Sequence, residues 1–168
     1  MHISADENYG CLFCRSGQEL SVMKDLKLLH PEFKYIVPQK KRYRRIGKEL
    51  HEEIVTLFPG YIFFKAAAKS SVVFLQAHRH VYRVLCNAEQ DWRLQDMDHY
   101  FVDRLFSENG VVGFSKAIYV DGRIVITGGF LEGKNYEIIS VNRRAKTLQV
   151  RFSFADTSMI AWLGYELE

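Results

Sequence analysis

The chain lacks any apolar run near the roughly eighteen residues that a membrane-spanning helix needs. Residues 1–8 form a short polar segment without the apolar centre of a signal peptide. The net charge is only +3 over 168 residues, so total charge does not by itself indicate nucleic acid binding. We therefore expect a cytoplasmic, monomeric protein that does not contact a membrane, in which local clusters of charge carry the functional information.

Cysteine is also scarce, and the three present do not suit a disulfide framework because their number is odd. Cys11 and Cys14 match a C-x-x-C pattern, but Cys86 has no second ligand pair that would complete a zinc site. Redox pairs usually lie at a helix N-terminus, whereas this pair falls inside a predicted strand. We therefore expect no catalytic residue, metal or cofactor. A thiol enzyme using Cys11 and Cys14 is kept as a competing hypothesis.

Apolar residues make up 48% of the chain, enough for a folded core, and the pattern mixes strands with helices. The fold class predicted is α+β. Short apolar or alternating runs predict strands at 9–14, 33–37 and 81–85. Helices are predicted from an N-cap at Ser16 with a capping box to Glu19, from a cap at Ser70 and Ser71, and along 94–105 with an end at Asn109 and Gly110.

A strongly basic segment lies between the second strand and the middle of the chain. Five of its six residues are cationic, and Gly47 beyond it predicts a hairpin with a basic first arm and an acidic second arm. The segment is either a self-neutralising surface hairpin or an arm that binds phosphates, with its tyrosine available for stacking. Its residues are Lys40, Lys41, Arg42, Tyr43, Arg44 and Arg45.

The stretch 57–64 is an apolar, aromatic run that begins with a Pro-Gly turn and continues as a strand. Pro59 fixes its own φ, and Gly60 can adopt dihedrals closed to other residues, so this pair sets the direction in which the strand enters its sheet. Strand alternation places Tyr61 and Phe63 on one face and Ile62 and Phe64 on the other. By composition alone the run is a buried strand.

The chain changes character after Asn109. Residues 111–117 have no clear period and are typical of a linker. From Ile118 onward short strands are separated by glycine, asparagine and aspartate, which indicates a small closed barrel. Within it, 148–154 alternates strictly and predicts a half-buried strand with Gln149, Arg151 and Ser153 facing water.

Phe58-Pro59-Gly60-Tyr61 in an α+β domain, followed by Val125–Gly133 opening a small barrel, resembles the NusG family of transcription elongation factors. The resemblance implies an N-terminal NusG-like domain at 1–108, with an antiparallel sheet and flanking helices. A linker at 109–118 and a KOW-like, SH3-like β-barrel at 119–168 would follow. Phe130 and Tyr136 depart from the KOW pattern, where proline and glycine are usual. Within the family, the chain is most similar to the LoaP subfamily of antiterminators.

What the resemblance implies about function is polymerase binding without catalysis. The apolar face of the N-terminal domain would contact the clamp helices of bacterial RNA polymerase, and a leader or nascent RNA hairpin would meet the barrel. Non-template DNA, a ribosomal protein and Rho stay open as further partners, and a general RNA-binding or ribosome-associated KOW protein is the alternative. The implied polymerase contacts are Tyr9, Phe58, Pro59, Gly60, Tyr61 and Phe63. Cations in the barrel suited to phosphate contacts are Lys134, Arg143, Arg144, Lys146 and Arg151.

Overall fold

The computed structural model describes residues 7–133 and 136–168. These residues form mixed sheets with two α-helices and group into two compact units. Among these residues, unit 1 comprises 7–38, 58–110 and 153–157, and unit 2 comprises 39–57, 111–133, 136–152 and 158–168. The domain boundaries expected from the sequence stay a prediction. In the described part of the chain, neither helix has the length and apolarity needed to cross a membrane.

Unit 1 contains a four-stranded sheet in which neighbouring strands run antiparallel. Two helices and a short 3-10 helix at Val73–Ala77 accompany it. In sheet order its strands are β2 (Lys34–Ile36), β5 (Tyr61–Ala67), β1 (Glu7–Cys14) and β6 (Val81–Val84). The helices are α1 (Glu19–Leu29) and α2 (Asp96–Ser107).

Helix α1 covers one face of this sheet because its apolar residues recur at helical spacing. Val22 and Leu26 are fully buried in one cluster with Leu12, Ile62 and Phe64. Burial of side chains of this size stabilises the fold by about 1.5–3 kcal/mol each. The alternation of β5 therefore places Ile62 and Phe64 on the helix-covered face, as the sequence predicts.

Two predicted helix starts are wrong. Helix α1 begins after Gln18, not at Ser16, and no side chain caps it. The 3-10 helix begins after Val72 without a cap from Ser70 or Ser71. The predicted end of α2 is confirmed, since Gly110 at φ +81° donates its N–H to Leu105 O at 2.7 Å.

Unit 2 contains the predicted basic hairpin and the C-terminal strands. The hairpin consists of β3 (Gln39–Ile46) and β4 (Glu49–Thr56), paired antiparallel across a turn at Gly47, and β7 (Val111–Val112) runs parallel to β3. A five-stranded sheet has the order β10-β11-β12-β8-β9. Its strands are β8 (Ser115–Val120), β9 (Arg123–Gly128), β10 (Glu137–Asn142), β11 (Thr147–Phe154) and β12 (Thr157–Leu167).

Strand β11 follows the predicted alternation. Leu148, Val150 and Phe152 are buried, while Arg151 and Ser153 are exposed. The two departures from the KOW pattern are accommodated without strain at Tyr136: its φ is not positive, and its ring packs 5.1 Å from that of Phe152. Phe130 is buried. The C-terminal sheet thus fits a KOW-like domain.

Candidate functional site

The Phe58-Pro59-Gly60-Tyr61 turn is fixed by hydrogen bonds from two directions. Gly60 N–H donates to Glu19 Oε1 at 2.7 Å, and Gly60 O accepts from Cys14 N–H at 2.7 Å. Gly60 has φ +90°, a conformation that L side chains rarely adopt, and a Cβ there would lie 2.8 Å from the Phe13 ring. Both helix α1 and strand β1 therefore determine where this turn and Tyr61 lie.

Four of the residues implied as polymerase contacts are buried in unit 1, namely Tyr9, Phe58, Gly60 and Phe63. Phe58 and Phe63 pack against Phe154, with ring centroids 5.6 and 5.3 Å apart, and Phe101 of α2 completes the cluster at 5.1 Å from Phe154. Strand alternation places Phe63 on the same face as Tyr61, but Phe63 is buried in contact with Phe154.

Tyr9 is likewise internal. Its hydroxyl donates to Asp103 Oδ1 at 2.7 Å, and its ring stacks on Phe106 at 5.1 Å, both on α2. Burial and the Asp103 hydrogen bond raise the pKa of Tyr9 far above its ordinary value. In this structure Tyr9 therefore anchors α2 to β1.

Three aromatic side chains that remain accessible to solvent form a strip across three neighbouring strands. The ring centroid of Phe13 lies 5.2 Å from that of Tyr61 and 5.3 Å from that of Tyr82. Pro59, which precedes Tyr61 in the turn, is exposed. Tyr82 is 58% exposed, whereas Phe13 and Tyr61 are half-buried. We call Phe13, Tyr61 and Tyr82 the aromatic strip. Sequence reasoning missed Phe13 and Tyr82, although both lie in strands that it predicted.

The basic hairpin of unit 2 has two chemically different faces. Cross-strand pairing places Arg42 opposite Glu53 and Arg44 opposite His51 on one face, and Arg45 opposite Leu50 on the other. Arg42 Nε lies 2.6 Å from Glu53 Oε1, and Arg44 Nη1 lies 3.8 Å from Glu53 Oε2. Among the described residues, the acids of the second arm therefore form ion pairs only on the first face, although Glu52 lies opposite Tyr43 on the other.

Two further hairpin residues are occupied by contacts within unit 2. Lys40 Nζ donates to Trp162 O at 2.5 Å, and burial together with Arg42 lowers the pKa of Lys40. Tyr43 stacks on Phe114 at 4.5 Å and donates its hydroxyl to Glu166 Oε1 at 2.9 Å. One face of the Tyr43 ring is thus already covered.

The barrel cations also divide into paired and unpaired ones. Arg143 lies over the Tyr119 ring at 4.5 Å and donates to Gly122 O, and Arg151 pairs with Glu137 at 2.8 Å. Arg144 and Lys146 are exposed, and no ion pair involves them among residues 7–133 and 136–168. Lys134 lies outside the described residues.

Three cations from the two predicted sets, Arg45, Arg144 and Lys146, line one cleft of about 810 Å³ in unit 2, whereas Lys41 does not. Tyr43, Arg45 and Leu50 line it from the hairpin, and the β10–β11 turn and the end of β12 line the rest. The structure therefore joins two basic segments that are distant in sequence. The remaining lining residues are Asn142, Arg144, Ala145, Lys146, Glu166 and Leu167.

The two cysteines of the C-x-x-C pattern, Cys11 and Cys14, are both buried. Burial raises the pKa of Cys11 well above its usual range and that of Cys14 to about 11, which disfavours the thiolate that redox or metal chemistry needs. No group of three or more histidine, cysteine or acidic residues within the described ranges could hold a metal ion.

Comparison with known proteins identifies the family. The family model described as transcription termination factor NusG matches residues 8–104, which is more than half of the chain. The chain therefore belongs to the NusG family, whose members bind RNA polymerase. The aromatic turn and strip both lie within the matched residues.

A solved structure gives the same fold. A structure of Thermotoga maritima NusG, described as concerning its domain interaction, aligns with a TM-score of 0.61 and 17% identity. The alignment covers 94% of this chain and 93% of that chain, so it extends over the KOW-like sheet. Because the identity is low, this likeness shows the fold alone. A search of curated proteins gave no match.

Proposed function

We propose that this chain is a non-catalytic transcription elongation factor that binds the clamp helices of bacterial RNA polymerase and promotes antitermination. The observation that carries the proposal is the aromatic strip on the sheet of a NusG-family domain, in which Tyr82 is exposed and Phe13 and Tyr61 are partly accessible. Exposed aromatic rings are unfavourable in water and gain by packing on an amphipathic helix pair.

Within this proposal Tyr61 and Pro59 make the central contact, and Phe13 and Tyr82 extend it. Phe13 is the middle ring, since it lies within 5.3 Å of both tyrosines. Gly60 acts indirectly by setting the turn. Tyr9, Phe58 and Phe63 are buried in unit 1 and stabilise the domain that carries the strip, without forming part of the contact surface.

We further propose that the chain functions as a LoaP-like antiterminator whose KOW-like sheet binds an RNA hairpin in the leader. The exposed cations Arg144 and Lys146 support this part of the proposal, since phosphate contacts supply most of the affinity of RNA-binding surfaces. Non-template DNA, a ribosomal protein and Rho are separate binding partners to be assayed in the same way.

The polymerase contact is tested by pull-down of the full chain on immobilised clamp helices. Tyr61→Ala and Tyr82→Ala should each weaken binding at least about tenfold, because truncating a central aromatic anchor typically costs 2 kcal/mol or more. The matched control is Tyr100→Ala, which removes a tyrosine 59% exposed on α2. Loss of binding in all three variants, or in none while the wild type binds, contradicts the proposed surface. Wild-type chain that fails to bind refutes the function itself.

The second candidate function is a general RNA-binding or ribosome-associated protein. The observation that favours it is the cleft, where one cavity is lined by three cations that form no ion pair with any residue the structure describes. It predicts tight, salt-sensitive RNA binding without polymerase. A chain that binds clamp helices but shows no RNA affinity at low salt excludes it.

A further inference from the structure

The cleft in unit 2 brings together cations from two segments that are distant in sequence. Arg45, Arg144 and Lys146 are exposed and have no ion pair among the described residues, whereas Arg42 and Arg151 are paired with glutamates. Lys41 and Lys48 of the hairpin also have no ion pair among the described residues, but only Arg45, Arg144 and Lys146 line one cavity together. Such an arrangement is favourable when the partner supplies the negative charge.

The one carboxylate in the cleft is already engaged. Glu166 accepts the Tyr43 hydroxyl at 2.9 Å, and the Asn142 side chain accepts the Ala145 N–H at 2.9 Å. Both contacts fix the cleft wall rather than neutralise its cations. Glu52 lies opposite Tyr43 on the same hairpin face but does not line the cleft, so three positive groups against one lining carboxylate leave the lining positive.

Apolar side chains lie between these cations. Leu50 is 57% exposed and Leu167 is 47% exposed, and both line the cleft. Neither has a polar role, and leaving them in water is unfavourable. Alternating cationic and apolar groups match a nucleic acid strand, whose phosphates lie at the edges and whose base faces are apolar. Duplex RNA does not offer its base faces, so the complementary ligand is an unpaired strand.

We propose that an unpaired RNA strand lies in this cleft and is held jointly by the β3–β4 hairpin and the β10–β11 turn. Arg45, Arg144 and Lys146 bind its phosphates, and Leu50 and Leu167 contact a base. The inference rests on the proposed RNA role of the KOW-like sheet and adds the hairpin of the N-terminal half as a necessary part of the site.

The test measures binding of the full chain to a fluorescent RNA stem with a long unpaired loop, across a range of salt concentrations. Arg45→Ala should weaken binding about fourfold near 0.15 M salt and reduce the salt slope by about 0.7, the value for one contact on a single strand. The matched control Arg44→Ala removes the same charge from the next residue, which faces the other side of the hairpin. It should change neither quantity.

A second pair of variants tests the apolar contact. Leu50→Ala should weaken binding about threefold to tenfold without changing the salt slope, since it removes apolar contact and no charge. Ile46→Ala is the control, because Ile46 is 56% exposed on the opposite face. Leu50 and Ile46 are both exposed, so neither substitution should unfold the protein.

Three results overturn the inference. If Arg144→Ala and Lys146→Ala weaken binding but Arg45→Ala and Leu50→Ala do not, the RNA role stands and the joint cleft is wrong. Equal affinity for a blunt duplex of the same stem excludes an unpaired strand. Equally effective displacement by poly-glutamate shows a site for acidic chains in general. If the wild-type chain binds no RNA at all, the proposed RNA role of the KOW-like sheet is refuted, and the inference that rests on it is refuted with it.

Discussion

Glu19 accepts a hydrogen bond from Gly60 at 2.7 Å, joining residues 41 positions apart. The same carboxylate accepts Gly17 N–H at 3.1 Å to each oxygen, so one buried side chain holds two backbone donors. Gly60 is the third residue of the turn that introduces Tyr61. The start of helix α1 is thereby coupled to the geometry of the aromatic strip.

Glu19→Ala should destabilise the chain by about 1–3 kcal/mol, because the Gly60 N–H is left buried without an acceptor. Glu19→Gln keeps one acceptor oxygen and should lose less. Thermal unfolding measures both, and about 2–4 °C in Tm is expected per kcal/mol for a chain of this size. Glu89→Ala, at an exposed position, serves as the control and should leave Tm almost unchanged. Equal effects at positions 19 and 89 would contradict the assignment.

Gly60→Ala should be more destabilising than Gly17→Ala. Both glycines have φ near +90°, so backbone strain is similar, but a Cβ at Gly60 meets the Phe13 ring and Cys14 O within 3.0 Å while nothing lies within 4 Å at Gly17. Chemical denaturation gives the difference directly. Equal losses of unfolding free energy would show that the space beside Phe13 is not tight.

Local patterns in the sequence predicted the local structure well. The alternation of 148–154, the hairpin around Gly47 and the end of α2 at Gly110 all appear where expected, because each depends on neighbours in sequence. The start of α1 was wrong because Glu19, which looks like half of a capping box, instead turns back to Gly17 and across to Gly60. No local rule reveals a partner 41 residues away.

The sequence indicated which residue types form the candidate surfaces, but it did not indicate which of those side chains are exposed. Phe58 and Phe63 match the family motif, yet Phe154, far along the chain, covers them. The basic segment was visible, but only the strand register decides that Arg42 faces Glu53 and Arg45 does not. Tertiary packing and register therefore supplied what the residue types could not.

The cysteines should divide sharply in reactivity with a thiol reagent such as DTNB at pH 8. Cys86 is exposed and should react first, even though burial and Asp91 raise its pKa somewhat. Cys11 and Cys14 are buried with raised pKa values and should react only on unfolding. Cys86→Ser should abolish the early phase. Early reaction of Cys11 or Cys14 would instead favour the thiol-enzyme hypothesis.

Asp98 should make stability depend on pH. Burial raises the pKa of Asp98 from 3.8 to about 6. The Ala155 N–H donates to its carboxylate at 3.3 Å, and this hydrogen bond acts in the opposite direction by lowering the pKa. Because the folded-state pKa is the higher one, the Asp98 contribution is fully present below about pH 4 and is lost as pH rises through 6. As pH rises from about 4 to about 6, the unfolding free energy of Asp98→Asn should therefore increase relative to that of the wild type. A constant difference between pH 4 and 7 would contradict this.

Single-round transcription through a terminator tests the central claim most directly, with and without the native leader RNA. Wild-type chain should increase read-through by purified bacterial polymerase, with a larger increase when the leader is present. Tyr61→Ala should remove the increase, while Tyr100→Ala should retain it. Unchanged read-through with wild-type chain and leader present, or full activity of Tyr61→Ala, would contradict the account of a polymerase-binding antiterminator.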